Sequence, residues 1–292
     1  MSTHNDILFS GPIVTIGSFD CPVTAPDFRN TGPAPDYLLA FPRTVVRIRH
    51  VGMKTSIVAD PNIVTLYNQG QEYERDSVAD RGDHCDWLAF APSAVAEALA
   101  DAGVNHRGDP VRLFSVAYGM SPPTAYATVH RLVARLGHGP QLEAMAIEDT
   151  ALQILELVLK AAQQQPPTGK RRATAARHAL LVHRVRELLA AQYDQSVSLA
   201  SVAGEVGTTP YHLSRVFRHK TGATIFQYLT QLRLRNAMQR LRQDSDDLAA
   251  IGVAMGFSDH SHFSKQFRNT FNTSPSRFRA LLQSPTAPLH TP

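Results

Sequence analysis

HLSRVFR at residues 212–218 returns fifty positions later as HFSKQFR at 262–268. His212 corresponds to His262, Leu213 to Phe263, Ser214 to Ser264, Arg215 to Lys265, Phe217 to Phe267 and Arg218 to Arg268, all at one offset. In each copy an apolar pair four residues apart, Leu213 with Phe217 and Phe263 with Phe267, lies on one side of a helix, the buried stripe of an amphipathic element. Tyr211 is followed at +3, +4 and +7 by Ser214, Arg215 and Arg218, and Ser261 by Ser264, Lys265 and Arg268, so each copy turns a polar, cationic face outward. Such a face suits a DNA groove.

The residues ahead of each copy repeat as well. Ser198 is placed to cap a short helix whose Leu199, Val202, Ala203 and Val206 share a side; Gly207 ends it, Thr209 caps the next helix and Pro210 sits in its first turn. Asp247 is placed likewise before Leu248, Ile251, Gly252 and Met255; Gly256 ends that helix and Asp259 caps its successor. This is helix, turn, helix written twice, an arrangement whose second helix enters the major groove. One basic amphipathic helix alone would be read as a solvated face on a packed core; tandem duplication in a basic segment removes that reading. The candidates for reading bases are Tyr211, Ser214, Arg215, His260, Ser261, His262 and Lys265, and for holding phosphates Thr209, Arg218, His219, Ser264 and Arg268. From 224 to about 243 the chain has no glycine or proline, and Ile225, Leu229, Leu232 and Leu241 give it a buried side. It is predicted to be one helix of roughly 30 Å, against about 34 Å between successive major grooves.

Residues 178–282 resemble the DNA-binding domain of the AraC/XylS family of transcriptional regulators. Leu199, Ala203, Val206, Gly207, Leu213, Ser214, Arg215, Phe217 and Gly222 match its first unit, and Tyr228, Arg233, Leu234, Ala237 and Leu241 its connecting helix. Ile251, Gly256, Phe257, Asp259, Phe263, Ser264, Phe267, Phe271, Pro275 and Arg279 match its second unit and closing turn. Two positions depart. Asn272 stands where the family has glycine, and it tolerates the left-handed conformation a turn needs. Lys265 stands where arginine is common and lacks the bidentate fork. The resemblance implies transcription regulation with double-stranded DNA as partner, RNA polymerase as a second, and a small-molecule effector and a homodimer as possibilities. Activation is the expected mode, although the residues leave repression open.

Charge divides the chain. Residues 1–165 carry 12 Lys+Arg against 18 Asp+Glu, a net of −6, whereas 166–292 carry 17 against 7, a net of +10. A basic half joined to an acidic one is the electrostatic footprint of a nucleic-acid-binding module attached to something else. At 292 residues and 43% apolar content two domains are expected. Two cysteines, Cys21 and Cys85, are too few for a disulfide framework or a structural zinc site, the N-terminus has no secretory signal, and no apolar run approaches a membrane span, which predicts a cytoplasmic protein.

The expected fold is α+β. Residues 1–162 make a small cupin-like β-barrel with flanking helices, 163–176 a linker, 177–282 the all-α double helix-turn-helix domain, and 283–292 a flexible tail. Residues 1–40 read as an irregular lead-in with one strand at 13–16. Runs at 45–51, 55–59, 63–68 and 86–90 are rich in β-branched or aromatic residues between turn signals. Resemblance to the family's cupin-like domain rests on turns such as Asp60-Pro61-Asn62 and Gly82-Asp83-His84-Cys85. Helices are predicted at 93–102, 123–136 and 141–162, with Gly137 and Gly139-Pro140 turning the last two. Leu152, Leu155 and Leu159 form either a dimer contact, as the family implies, or a seam within the chain. Lys170-Arg171-Arg172 in the linker can touch phosphate.

A metal-binding cupin needs His-x-His, then Glu and a distant His. Residues 1–162 lack that set. His50, Asp83, His84 and Cys85 match no standard spacing, so no metal, cofactor or catalytic residue is expected. Two competing classes are an alkyl-transfer enzyme fused to a DNA-binding module, with Cys85 as nucleophile, and a nonspecific architectural DNA binder.

Overall fold

The computed structural model describes residues 2–30, 32–78, 81–103, 112–137, 142–163, 172–243 and 247–283. Nine strands open the chain: β1 His4–Ser10, β2 Val14–Cys21, β3 Tyr37–Pro42, β4 Val46–His50, β5 Ile57–Ala59, β6 Ile63–Tyr67, β7 Tyr73–Ser77, β8 Asp83–Phe90 and, after a helix, β9 Tyr118–Met120. They form a six-stranded sheet ordered β1-β2-β8-β3-β6-β9 and a three-stranded sheet ordered β5-β4-β7, with antiparallel neighbours throughout. Neither sheet closes on itself among the described residues, so the expectation of a small β-barrel or half-barrel is corrected to two open sheets.

The lead-in at 1–40 is corrected too. It holds β1, β2 and the start of β3, because β2 pairs residue for residue with β8, a partner about seventy positions away. Gly17 faces Trp87 in that register, and a side chain there would overlap the indole, so the strand carries a glycine where its pattern looks broken. β1 is an exposed edge strand, and its polar run His4-Asn5-Asp6 hides it from a hydrophobicity reading.

Helices accompany the sheets: α1 Pro92–Asp101 between β8 and β9, then α2 Pro123–Leu136 and α3 Ala144–Gln163. α2 is buried on almost every side because it lies between β1, β2 and β8 on one flank and helices of the second half on the other. Leu155 and Leu159 are buried in the seam of α3 with α1, α2 and β9, so the sequence's two alternatives resolve for them toward a contact within the chain; Leu152 is half-buried. The expected linker is helical at both described ends, Gln163 closing α3 and 172–176 opening the next helix. Its remaining residues 164–171, the Gly139-Pro140 turn and the tail beyond 283 lie outside the described residues.

The second half is all helix: α4 Arg172–Ala191, α5 Leu199–Glu205, α6 Pro210–Thr221, α7 Ile225–Gln243, α8 Leu248–Ala254, α9 His260–Phe271 and α10 Pro275–Gln283. The predicted connecting rod is α7. Thr224 and Gln227 cap it reciprocally, the Gln227 N–H donating to Thr224 Oγ1 at 3.1 Å and the Thr224 N–H to Gln227 Oε1 at 2.9 Å. Among the described residues no helix is long and apolar enough to cross a membrane.

The halves meet through one continuous apolar cluster that runs from Val14 and Leu88 through Val133 and Leu155 to Phe217 and Phe263. A buried polar network is set into it. Asp60, in the β5–β6 turn, accepts hydrogen bonds from Tyr228 Oη of α7 at 2.6 Å and Arg186 Nε of α4 at 3.1 Å. Arg186 Nε also donates to Tyr228 Oη at 2.7 Å and its Nη2 to the Val58 carbonyl. Asn62 Nδ2 donates to the Tyr228 carbonyl at 2.9 Å. About two turns on, Arg235 donates to the carbonyls of Pro61 and Ser121 and lies over the Tyr126 ring. Farther along α7, the Met238 carbonyl is 3.2 Å from His130 Nε2 of α2. The sheet half therefore grips the connecting helix along much of its length.

Candidate nucleic-acid interface

Each of the repeated helices, α6 and α9, is started by the residue the sequence selects. Thr209 Oγ1 accepts from the His212 N–H at 3.3 Å, and Pro210 opens α6. Asp259 Oδ1 accepts from the His262 N–H at 2.7 Å, and that bond, followed by one from Ser258, holds the Asp259 carboxyl below its ordinary pKa. Ser198 and Ser201 cap α5 reciprocally. Asp247 is a correction: its side chain makes no capping bond to α8. Both α6 and α9 end in a left-handed residue, Gly222 at φ 74° and Asn272 at φ 54°, as the substitution of asparagine for glycine requires.

In the first unit Leu213, Val216 and Phe217 are buried and hold α6 against α4, α5 and α7. Its opposite side brings five candidates together. Tyr211, Ser214, Arg215, Arg218 and His219 line one open groove of about 380 Å³, with Tyr211 76% exposed. In the second unit Phe263, Phe267 and Phe271 are buried, and Ser261, Lys265 and Arg268 are exposed on the other face. His260 is exposed and its Nε2 lies 3.2 Å from Ser264 Oγ. The His262 ring is also engaged inside its own unit and is half-buried, with Nδ1 3.1 Å from Ser258 Oγ and the ring edge-on to Phe257. Its counterpart His212 is exposed and meets the ring of His178 on α4 at 5.6 Å.

That last contact brings in residues outside the repeat. Burial, then His212, Lys220, His219 and Arg177, hold the His178 imidazole below its ordinary pKa, which keeps it neutral and marks basic groups of α6 and of the start of α4 around it. The signal was present as Arg177-His178, but the motif ends short of it. Arg233, which the family pattern includes, faces inward: its Nε donates to the Tyr193 carbonyl at 2.7 Å and its Nη2 to that of Gln195 at 2.8 Å, tying α7 to the loop before α5.

The residues weighed for other chemistry have structural partners. Asp83 is paired with Arg75 at 2.8 Å, His84 lies 3.1 Å from Asp20, and burial pulls the His50 imidazole down to about 4 while its ring packs on Tyr67. Cys85 is buried, and burial followed by the neighbouring Asp83 pushes its thiol well above the ordinary value, which disfavours the thiolate an alkyl-transfer nucleophile needs. Among the described residues no group of three His, Cys, Asp or Glu is placed to hold a metal.

The helix-turn-helix domain family matches residues 202–281. The Msm operon regulatory protein of Streptococcus mutans is 32% identical over 103 residues, covering 35% of this chain and 37% of that protein. A probable transcription factor PqrA of Proteus vulgaris is 30% identical over 88 residues, covering 30% of this chain and 72% of its own. The crystal structure of an AraC-type transcriptional regulator from Chromobacterium violaceum is 34% identical, covering 38% of this chain and 98% of that one at a TM-score of 0.36. The chain spans about a third of the length of the first curated relatives it matches. With two capped helix-turn-helix units, their cationic faces and a relative matched over most of its length, the chain belongs to the AraC/XylS family of transcriptional regulators.

Proposed function

We propose that this regulator reads two successive major-groove segments of one DNA site, α6 in the first and α9 in the second, and that residues 1–162 sense a small molecule that modulates the reading. Tyr211, Ser214, Arg215, His260, Ser261, His262 and Lys265 read bases, and Thr209, Arg218, His219, Ser264 and Arg268 hold phosphates. The observation that carries this is the duplicated outward face on two helices joined by the single helix α7 of 19 residues, about 28 Å long. A rod of that length spaces two recognition helices close to one turn of B-DNA. Residues 177–282 act as the DNA-binding domain, 163–176 as the link and 283–292 as a tail. RNA polymerase is the partner downstream, and a second copy of the chain is a further one. The effector's place is a cavity of about 240 Å³ in the sheet half, and the Asp60–Arg186–Tyr228 network is the route by which its occupancy reaches α4 and α7.

The test is selection of bound sequences from a random duplex pool by the full chain. Two blocks of preferred bases about 10 base pairs apart are expected. One block would refute two-segment reading, and no preference at all would favour the architectural binder. Inserting about five base pairs between the blocks should abolish specific binding by one protomer, and inserting about ten should not restore it, because α7 cannot stretch.

A further inference from the structure

The cavity in the sheet half has a wall of unusual composition. Phe19, Tyr67, Tyr73 and Trp87 supply four aromatic rings to it, Asp27 and Asp83 supply two carboxylates, and its described lining contains no Lys, Arg or His. Tyr67 and Tyr73 meet at 5.0 Å with their planes inclined by 63°, which makes an aromatic corner. The polar edge of the indole is already used, because Trp87 Nε1 donates to Asn5 Oδ1 at 2.9 Å. What Trp87 can still offer is its ring surface.

The cation that lies over two of the lining rings is already paired with a carboxylate. Arg75 is 1% exposed, pairs with Asp83 at 2.8 Å, and lies over the rings of Phe19 at 4.8 Å and Tyr73 at 5.8 Å. Asp27 differs from Asp83. It is exposed, accepts a hydrogen bond from the Thr3 hydroxyl at 2.6 Å, and among the described residues has no cation within ion-pair distance. An anionic ligand would therefore meet an uncompensated carboxylate and no counter-ion. A polyol would find Asn5 and the indole N–H bonded to each other. A cation meets ring quadrupoles and a carboxylate, the combination that binds ammonium groups.

We propose that the cavity between Trp87, Tyr67, Tyr73 and Phe19 takes a small organic cation, an amine or quaternary ammonium compound, with Asp27 as its counter-ion. This rests on the reading that the sheet half holds the effector and adds its chemical class. Trp87 is the chain's single tryptophan, so intrinsic emission reports on this cavity alone. The full chain is titrated with choline, with its neutral isostere 3,3-dimethyl-1-butanol, and with glucose and succinate as neutral-polyol and anionic probes.

Choline should shift Trp87 emission saturably and bind about tenfold or more tighter than the neutral alcohol. Asp27→Asn should remove most of that difference and leave the alcohol's affinity unchanged. Tyr73→Leu should weaken choline, with far-ultraviolet circular dichroism checking that it folds. Equal binding of choline and the alcohol would overturn the cation assignment. A shift with glucose or succinate but not choline would overturn it while sustaining the effector reading. No shift with any of the four would overturn the proposal and count against the effector reading as well.

Discussion

Helices α6 and α9 have the same length, the same kind of N-terminal cap and the same left-handed exit, yet they sit in different surroundings. α6 is flanked by the cationic start of α4, and its unit is anchored through Arg186 and Tyr228 to the buried carboxylate of Asp60. α9 is held through rings: Phe267 meets Phe278 of α10 at 5.6 Å, and Phe278 stacks on His130 of α2 at 6.2 Å. The outward faces differ as well. The first offers Arg215 and an exposed His212; the second offers Lys265 and a His262 turned onto Ser258 and Phe257. Duplication thus sets the shape of a recognition helix, while its neighbours set which side chains it can spend on DNA and how it is tied to the rest of the chain.

The polar and aromatic anchors should fail differently, which is the largest effect expected. Asp60→Ala leaves the Arg186 charge buried without its counter-ion and should cost about 3–5 kcal/mol in urea unfolding. Adding Arg186→Leu to that variant should recover most of the loss. Phe278→Ala should cost a comparable amount, about 3–5 kcal/mol, with no partner substitution able to restore it. A loss for Asp60→Ala below about 1 kcal/mol would remove the polar anchor from the comparison.

Acid should loosen the aromatic anchor over a defined window. Burial, then the nearby charges of Arg242 and Arg43, lower the His130 pKa to about 3, so the unfolded chain takes up this proton first. The resulting contribution is fully present above the unfolded value near 6.5 and is lost as pH falls from there toward 3, by roughly 2 kcal/mol at pH 5. His183, on α4 near the other anchor, is lowered to about 4 and adds to the same trend. Thermal melting from pH 7.5 to pH 5 should show a decline that is shallower in His130→Gln, and equal slopes would contradict this account.

On DNA, Arg215→Ala should cost about 1–3 kcal/mol at the selected site and relax base preference locally, whereas Lys265→Ala, without a bidentate fork to lose, should fall near 1 kcal/mol. Arg218→Ala should weaken cognate and random duplexes alike and flatten the salt dependence. Competition titrations at fixed salt decide these, and equal losses for Arg215→Ala on both duplexes would place Arg215 on phosphate. The smallest effect belongs to the exit of α9. Gly222→Ala should cost about 1–2 kcal/mol, and Asn272→Gly should gain about 0.5 kcal/mol, since asparagine already tolerates the left-handed region.

Much of the candidate interface was legible because its signals are local. A cap, a turn and an apolar stripe lie within a dozen residues of one another, and for Ser198, Thr209, Asp259, Gly207 and Gly256 the structure uses them as expected. Where a signal depends on distant partners the sequence was silent. β3, β7 and β9 carry too little pattern in isolation, and of β2 only the start was legible, as the expected strand at 13–16, the rest being a strand by virtue of β8. Asp247 has the composition of a cap without its bond, and the apolar Leu199 is 42% exposed because α5 is too short to cover it.

From its own residues the chain determined that two helix-turn-helix units exist, where each begins and ends, which faces are apolar, and which side chains point away from the core, since helical periodicity and capping are short-range. Only the tertiary structure decided that the sheets stay open, that Leu155 and Leu159 face their own chain, and that Asp60, Arg186, Tyr228 and Arg235 lock the sheet half onto the connecting helix. In the sequence those charged residues look like ordinary solvated ones. They become buried only where turns and helices more than a hundred residues apart meet, and there each needs a hydrogen-bonding partner.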